Sequence, residues 1–325
     1  MDKFVTTKKR QKVDDNNVAN ATLLRPPERP DVPLALTVTF KDSATVAEIM
    51  KTVASKGKIG RLTLEFMKNV AADNKEALEI TALMPSNVGM AVMRLEHDHF
   101  SHVHVSVAVN TQRVFSVSSV AASSVKFDDG DMITIEHAET SPDELYVRVC
   151  DRAGRANAPE FALPLAIYDV DADAIEPDNS IYDDDDATAV THVWMETSFL
   201  NKLLKALKLE NLFTCLTVNE NGSIVITTTS PHTKRDAPVW TCMSVARPND
   251  DTMPSNDQCF VKRGKSPTLR VCSALVQGLW TLAPSSTHVQ LSFGEGLTVR
   301  ARFYYRSGIV LDTYAAAARN DDEDM

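Results

Sequence analysis

Apolar and polar residues alternate from residue 34 to residue 40, with Leu34, Leu36, Val38 and Phe40 on one side, the period of two expected of a strand with one buried face. The period then changes. Val46, Ile49, Met50 and Val53 fall at i, i+3, i+4 and i+7, which predicts a helix with one apolar stripe. Ser43 or Thr45 can cap it, and Thr45 with Glu48 three residues on matches a capping box. Lys51, Lys56 and Lys58 lie off the stripe. Gly57 and Gly60 break the pattern, and strands are predicted at 61–67, 77–83, 89–96 and 102–109. Residues 117–125 are a short, serine-rich segment with weak helix propensity. A hairpin follows, 132–135 and 145–149 about a Ser141-Pro142-Asp143 turn, and then a strand at 161–167.

From Tyr168 the chain turns acidic and loses periodicity, too long a stretch for a loop inside one compact domain. The same grammar then restarts. A strand at 193–196 leads through Thr197 or Ser198 into a helix with Leu200, Leu203, Leu204 and Leu207 on its stripe and Lys202, Lys205 and Lys208 away from it. Hairpin strands at 213–218 and 223–228 flank an Asn219–Gly222 turn, and strands follow near 239–244 and 259–262. A second short helix at 273–282 precedes strands at 288–293, 297–303 and 309–315. Two copies of one α+β unit are implied: an N-terminal basic arm without periodicity (1–33), a first domain (34–167), an acidic connector (168–190), a second domain (191–317) and an acidic tail (318–325).

Charge sharpens this picture. The 325 residues carry a net charge of −10, which argues against coating nucleic acid with the whole surface. Between Asp128 and Asp186 there are 18 acidic and 3 basic residues, leaving the rest of the chain net positive. Either the acidic stretch is a solvated loop, or the molecule has opposed faces, one attracting and one repelling a polyanion. The cluster Lys8-Lys9-Arg10-Gln11-Lys12 is either an import signal or a phosphate contact. No apolar run approaches the ~18 residues of a membrane span, and the opening residues lack the apolar core of a signal peptide. Five cysteines without a C-x-x-C pair argue against a zinc site or a disulfide framework and fit a reducing intracellular compartment.

No nucleotide loop, nucleophile elbow or metalloprotease helix occurs, and only 11 glycines are available for phosphate-cradling turns. His97, His99, His102 and His104 form two H-x-H pairs, a spacing able to hold Zn²⁺ or Cu²⁺ on a strand face. The same residues can be the polar side of an edge strand and turn. Asp183–Asp186 lacks the spacing of a calcium loop and fits a solvated linker. Lysines on the outward face of the first helix of each half can serve solubility or phosphate contact, and their recurrence favours the latter.

At this point the chain resembles the DNA sliding clamps of the proliferating cell nuclear antigen (PCNA) family. Carrying the resemblance are 78–95 (LEITALMPSNVGMAVMRL), 116–151 with its DGDMITIE and DELYVRVCD runs, 159–179 (PEFALPLAIYDVDADAIEPDN), 191–229, and 272–325 with SGIVLDTYAAAA and a DDEDM tail. It implies two tandem clamp domains, helices on one face of antiparallel sheets, and three copies closing a homotrimeric ring around duplex DNA without reading its sequence. It implies phosphate contacts by Lys51, Lys56, Lys58, Lys202, Lys205 and Lys208, with Lys126 near the second helix. Subunits would join by pairing 145–149 (Leu145, Tyr146, Val147, Val149) with 239–244 (Val239, Thr241, Met243) of the next. A front pocket for aromatic-anchored client peptides would comprise Leu83, Asn87, Val88, Met90, Ile175, Pro177, Leu297, Tyr314 and Ala315.

The implied protein is a polymerase processivity factor, not an enzyme, with no cofactor, acting in DNA replication and repair. Its partners are a DNA polymerase, other clients and a clamp loader, in the nucleus or a viral replication compartment. The second and fourth helices lack the family's usual basic residues, 229–263 holds an insertion, and the N-terminal arm has no counterpart. Such divergence fits a large DNA virus or a remote eukaryote. The alternatives are a subunit of a heteromeric checkpoint-type clamp, a monomeric or dimeric viral processivity factor, and, from a different class, a metal enzyme centred on the histidines.

Overall fold

The structure, a computed structural model, describes residues 33–44, 61–68, 76–83, 89–105, 113–117, 132–138, 140, 144–150, 161–164, 180–183, 189–206, 212–229, 235–246, 253–255, 258–265, 267–280 and 285–317. The first half contributes β1 (Leu34–Phe40), β2 (Arg61–Lys68), β3 (Glu76–Leu83), β4 (Gly89–Glu96), β5 (Phe100–Val105), β6 (Arg113–Val117), β7 (Met132–Ala138), β8 (Glu144–Cys150) and β9 (Phe161–Pro164). A one-turn helix α1 (Ser180–Asp183) leads into β10 (Thr191–Glu196), α2 (Thr197–Ala206), β11 (Phe213–Val218), β12 (Ser223–Thr229) and β13 (Asp236–Met243). The chain ends with β14 (Val245–Ala246), β15 (Cys259–Lys262), β16 (Thr268–Cys272), α3 (Ser273–Trp280), β17 (His288–Phe293), β18 (Val299–Tyr304) and β19 (Val310–Ala315).

These strands form three sheets, ordered β5-β1-β7-β8-β9, β13-β12-β11-β16, and β14-β15-β10-β17-β18-β19-β4-β3-β2-β6. The order is duplicated. β5-β1-β7-β8-β9 in the first half corresponds to β15-β10-β17-β18-β19 in the second, and β6-β2-β3-β4 corresponds to β16-β11-β12-β13. The halves are welded where β19 pairs antiparallel with β4, from Val310↔Arg94 to Ala315↔Gly89.

Alternation along the strands sends one set of side chains into a continuous core. Leu36, Val38, Phe40, Met93, Leu95, Ile133 and Ile135 of the first half join Val193, Met195, Leu291, Phe293, Phe303 and Leu311 of the second. Each such side chain removed from water contributes about 1.5–3 kcal/mol. Phe199, Leu200 and Leu204 of α2 and Val276 and Trp280 of α3 seal the same core. Gly264 is required by close approach: a Cβ there would lie 2.5 Å from the Val190 carbonyl carbon, beside the start of β10. Its N–H donates to Thr191 Oγ1 at 2.9 Å.

Several elements differ from expectation. β6 and β16 were not anticipated; each is only five residues long and ends its sheet at the equivalent place. Of the strand expected at 161–167, Phe161–Pro164 is a strand, and 165–167 lie outside the described residues. Ser43 does not cap a helix from outside it. It is already helical, its hydroxyl donates to the Phe40 carbonyl at 3.2 Å, and its Oγ accepts from the Ile133 N–H at 2.9 Å. The N-terminal arm up to residue 32, the helix expected over 46–53 and the acidic tail lie outside the described residues.

Candidate nucleic-acid interface and docking groove

Helix α2 is held at its start by the strands it leaves. The Thr197 N–H donates to the Thr287 carbonyl at 3.0 Å, Thr197 and Ser286 hydroxyls bond at 2.8 Å, and the Ser198 hydroxyl donates to Glu196 at 3.0 Å. Leu200 and Leu204 face inward; Lys202 and Lys205, one helical turn apart, are exposed on the opposite side. Phe199 meets the Trp240 ring edge-on at 5.0 Å, so the helix also buttresses β13. Lys51, Lys56, Lys58, Lys126 and Lys208 lie outside the described residues.

Helix α3 packs against β16 and β11 of one sheet and against β4 and β19 of another, under the junction of the halves. Its start is fixed by the Ser273 N–H, which donates to the Leu212 carbonyl at 3.1 Å, and by a 2.8 Å bond between the Ser273 and Thr214 hydroxyls. It carries no charged residue. Of these two helices, only α2 carries basic side chains.

The opposite face of the long sheet carries the groove candidates. Leu83 pairs with Met90, and Met90 with Tyr314, so the register brings these three positions side by side on β3, β4 and β19. Met90, Tyr314 and Val92, the last not anticipated, form a small apolar cluster separate from the main core. Ala315 does not belong with them. Adjacent residues of a strand face opposite ways, and Ala315 lies in the main core on the α3 side. Leu297 is half-buried in the turn between β17 and β18. Asn87, Val88, Ile175 and Pro177 lie outside the described residues.

Beside this cluster is a polar latch that was not anticipated. Asp183, expected in a solvated linker, accepts from Arg300 Nη1 at 2.8 Å and from Arg302 Nη1 at 3.0 Å. Arg302 also forms a two-pronged pair with Asp312 across the β18–β19 ladder, at 2.8 and 2.9 Å. Burial alone would lower the Arg302 pKa, but the bonded Asp312 carboxylate and nearby Asp183 hold it above its ordinary value. The Tyr182 hydroxyl donates to the Thr298 carbonyl at 2.6 Å, and the Arg300 guanidinium lies 4.9 Å from the centre of the Tyr182 ring. Burial pushes the Tyr182 phenol up, against the opposing pull of Thr298 and Arg300. The end of the connector is thus pinned to the sheet. A cleft of about 360 Å³ opens next to it, lined by Val92, Arg94, Glu96, His99, Asp183 and Arg302 among others.

The assembly strands need one correction. β8, which holds Leu145, Tyr146, Val147 and Val149, is paired with β7 on one side and β9 on the other, so its main chain cannot add a further strand. The end of that sheet is β9. Among the described residues β13 ends its sheet: Thr241 and Met243 are exposed and Val239 half-buried, while Trp240 and Cys242 pack inward. Met243 at 62% and Val245 at 47% are the most exposed large apolar residues among those described.

The histidines form a turn. His97–His99 is a short 3-10 segment, His99 Nδ1 accepts from the Glu96 N–H at 3.1 Å, and His102 and His104 continue on β5. Among the described residues no group of three or more His, Cys, Asp or Glu side chains is placed to hold a metal ion.

No protein-family model matches the chain, and no curated protein matches it. Among solved structures, the proliferating cell nuclear antigen of Entamoeba histolytica superposes with a TM-score of 0.64 at 13% identity, over 88% of this chain and 100% of that one. The chain has a PCNA-like clamp fold. The duplicated strand order, the helices on one sheet face and the latch on the other therefore belong to a chain with a PCNA-like fold and 13% identity to the structure it matches.

Proposed function

We propose that the chain is a sliding clamp. It acts as a DNA polymerase processivity factor that encloses duplex DNA as a homotrimer and tethers replication and repair proteins at the groove around Met90 and Tyr314. It is a binding protein rather than an enzyme and needs no cofactor. A clamp loader places it on DNA, in a nucleus or a viral replication compartment. Lys202 and Lys205 face the phosphates, making contacts that are sequence-independent and salt-sensitive.

The observation that carries this reading is the pattern of closed and open strand edges. Within the chain, β19 closes the edge of β4. The duplicated order makes β9 the counterpart of β19, and β13 the counterpart of β4. Among the described residues neither β9 nor β13 has a strand on its outer side. A second copy that repeats the internal junction would pair its β9 with β13, covering Met243. An uncovered apolar edge strand is otherwise an aggregation hazard.

The test is the molar mass in solution by light scattering, over a range of concentrations at moderate salt. Three chains is the expected mass. One or two chains throughout would end the self-closing ring and favour a heteromeric checkpoint-type clamp, or a viral factor held to DNA by charge.

A further inference from the structure

Two free thiols meet where the sheets of the second half come together. Cys242 lies on the end strand β13, half-buried, and Cys259 begins β15 in the neighbouring sheet, fully buried. The backbone explains the meeting. Just past Cys242 the chain leaves β13 for β14, whose Val245 pairs with Phe260, the residue after Cys259. Both thiols thus flank a parallel ladder that joins these segments, Cys242 three residues before Val245 and Cys259 one residue before Phe260. Cys242 packs against the core cluster to which Cys259 belongs. Donation from Cys259 lowers the Cys242 pKa, and a stabilised, partly accessible thiolate reacts fastest with oxidants. Neither cysteine has a part in the groove or the lysine face.

We propose that Cys242 and Cys259 are a peroxide-responsive dithiol that closes to an intrachain disulfide, tying the end strand β13 to β15. The Cys242 thiolate attacks one oxygen of hydrogen peroxide. The O–O bond breaks, hydroxide leaves, and the sulfur becomes a sulfenic acid. Cys259 sulfur then attacks Cys242 sulfur; the S–S bond forms, the S–O bond breaks, and the Cys259 proton leaves with the hydroxyl as water. The two thiols together lose two electrons and two protons, and one peroxide becomes two waters. A thiol reductant reverses the link.

The full chain under native conditions is treated with hydrogen peroxide, blocked with iodoacetamide, digested without reduction and mapped by mass spectrometry. The expected result is a Cys242–Cys259 linked peptide that dithiothreitol releases, with loss of alkylation at both residues. Cys259→Ser should instead leave Cys242 as a sulfenic acid that dimedone traps, and Cys242→Ser should yield no link. The wild-type map stands by itself should either variant fail to fold. Three results overturn the proposal: both thiols remaining open to alkylation, Cys242 passing to sulfinic acid without a link, or either cysteine pairing elsewhere.

Discussion

Arg300 is the largest fully buried side chain among the described residues, and it is charged. Taking a guanidinium out of water is tolerable only if an anion meets it, and that anion is Asp183, 117 residues earlier in the chain. Asp183→Asn should therefore cost about 2–3 kcal/mol, somewhat under the ~3–5 kcal/mol of a wholly buried pair because the carboxylate is half exposed. A lowered urea midpoint, with faster proteolysis of the connector, is the expected reading. Adding Arg300→Met should restore most of the loss, because it removes the stranded charge; an unchanged midpoint in the single variant would mean that Arg300 is satisfied without Asp183. The same latch has an alkaline signature. Burial is the main cause that raises the phenol pKa of both Tyr182 and Tyr304. In the unfolded chain these phenols ionise near pH 10, while the folded ones stay protonated. Their contribution is thus complete below pH ~10 and is lost as pH rises through the folded values. Tyr182→Phe should flatten that alkaline fall in melting temperature, at a cost of about 1 kcal/mol near neutrality for the lost bond to Thr298.

At the scale of elements, α2 carries a load that differs between its faces. Lys202→Ala with Lys205→Ala should leave the urea midpoint in place, since both side chains are exposed. It should also reduce the slope of log affinity for duplex DNA against log salt by about 0.9 for each phosphate contact removed. An unchanged slope would take these lysines off the DNA. This helix was legible in the sequence because its apolar stripe, capping residues and lysines all follow one period. Strands such as β1 and β17 were legible because alternation over six or seven residues has few other meanings. β6 and β16 were not, since five residues with mixed polarity could equally be loop. The latch was illegible for a different reason. Asp183 stands in a run of four aspartates, where nothing local tells an ion-paired carboxylate from a solvated one, and its partners are distant in sequence. Of the positions expected to line a groove, Met90 and Tyr314 are neighbours through register, whereas Ala315 lies in the main core, because a list of positions ignores the alternation of the strand.

At the scale of the molecule, one junction should occur twice, once inside the chain and once between chains, and the two can be told apart by their dependence on concentration. Inside, Leu311 of β19 pairs with Met93 of β4 and both are buried. Leu311→Ala should lower stability by about 2–5 kcal/mol whatever the protein concentration, because the lost packing belongs to a single chain. Between chains, β13 would present Thr241 and Met243 to the β9 of a second copy, and lysine is the residue that most directly blunts a pairing edge. Thr241→Lys with Met243→Lys should move the light-scattering mass from three chains to one, most completely at low concentration. Both side chains are already exposed, so the unfolding midpoint of the single chain should be unaffected. Loss of mass without loss of fold would locate the assembly contact on β13. A doubly substituted chain that keeps the mass of three would move that contact elsewhere, and the correspondence of β13 with β4 would then describe ancestry of the strand order and not the way copies meet.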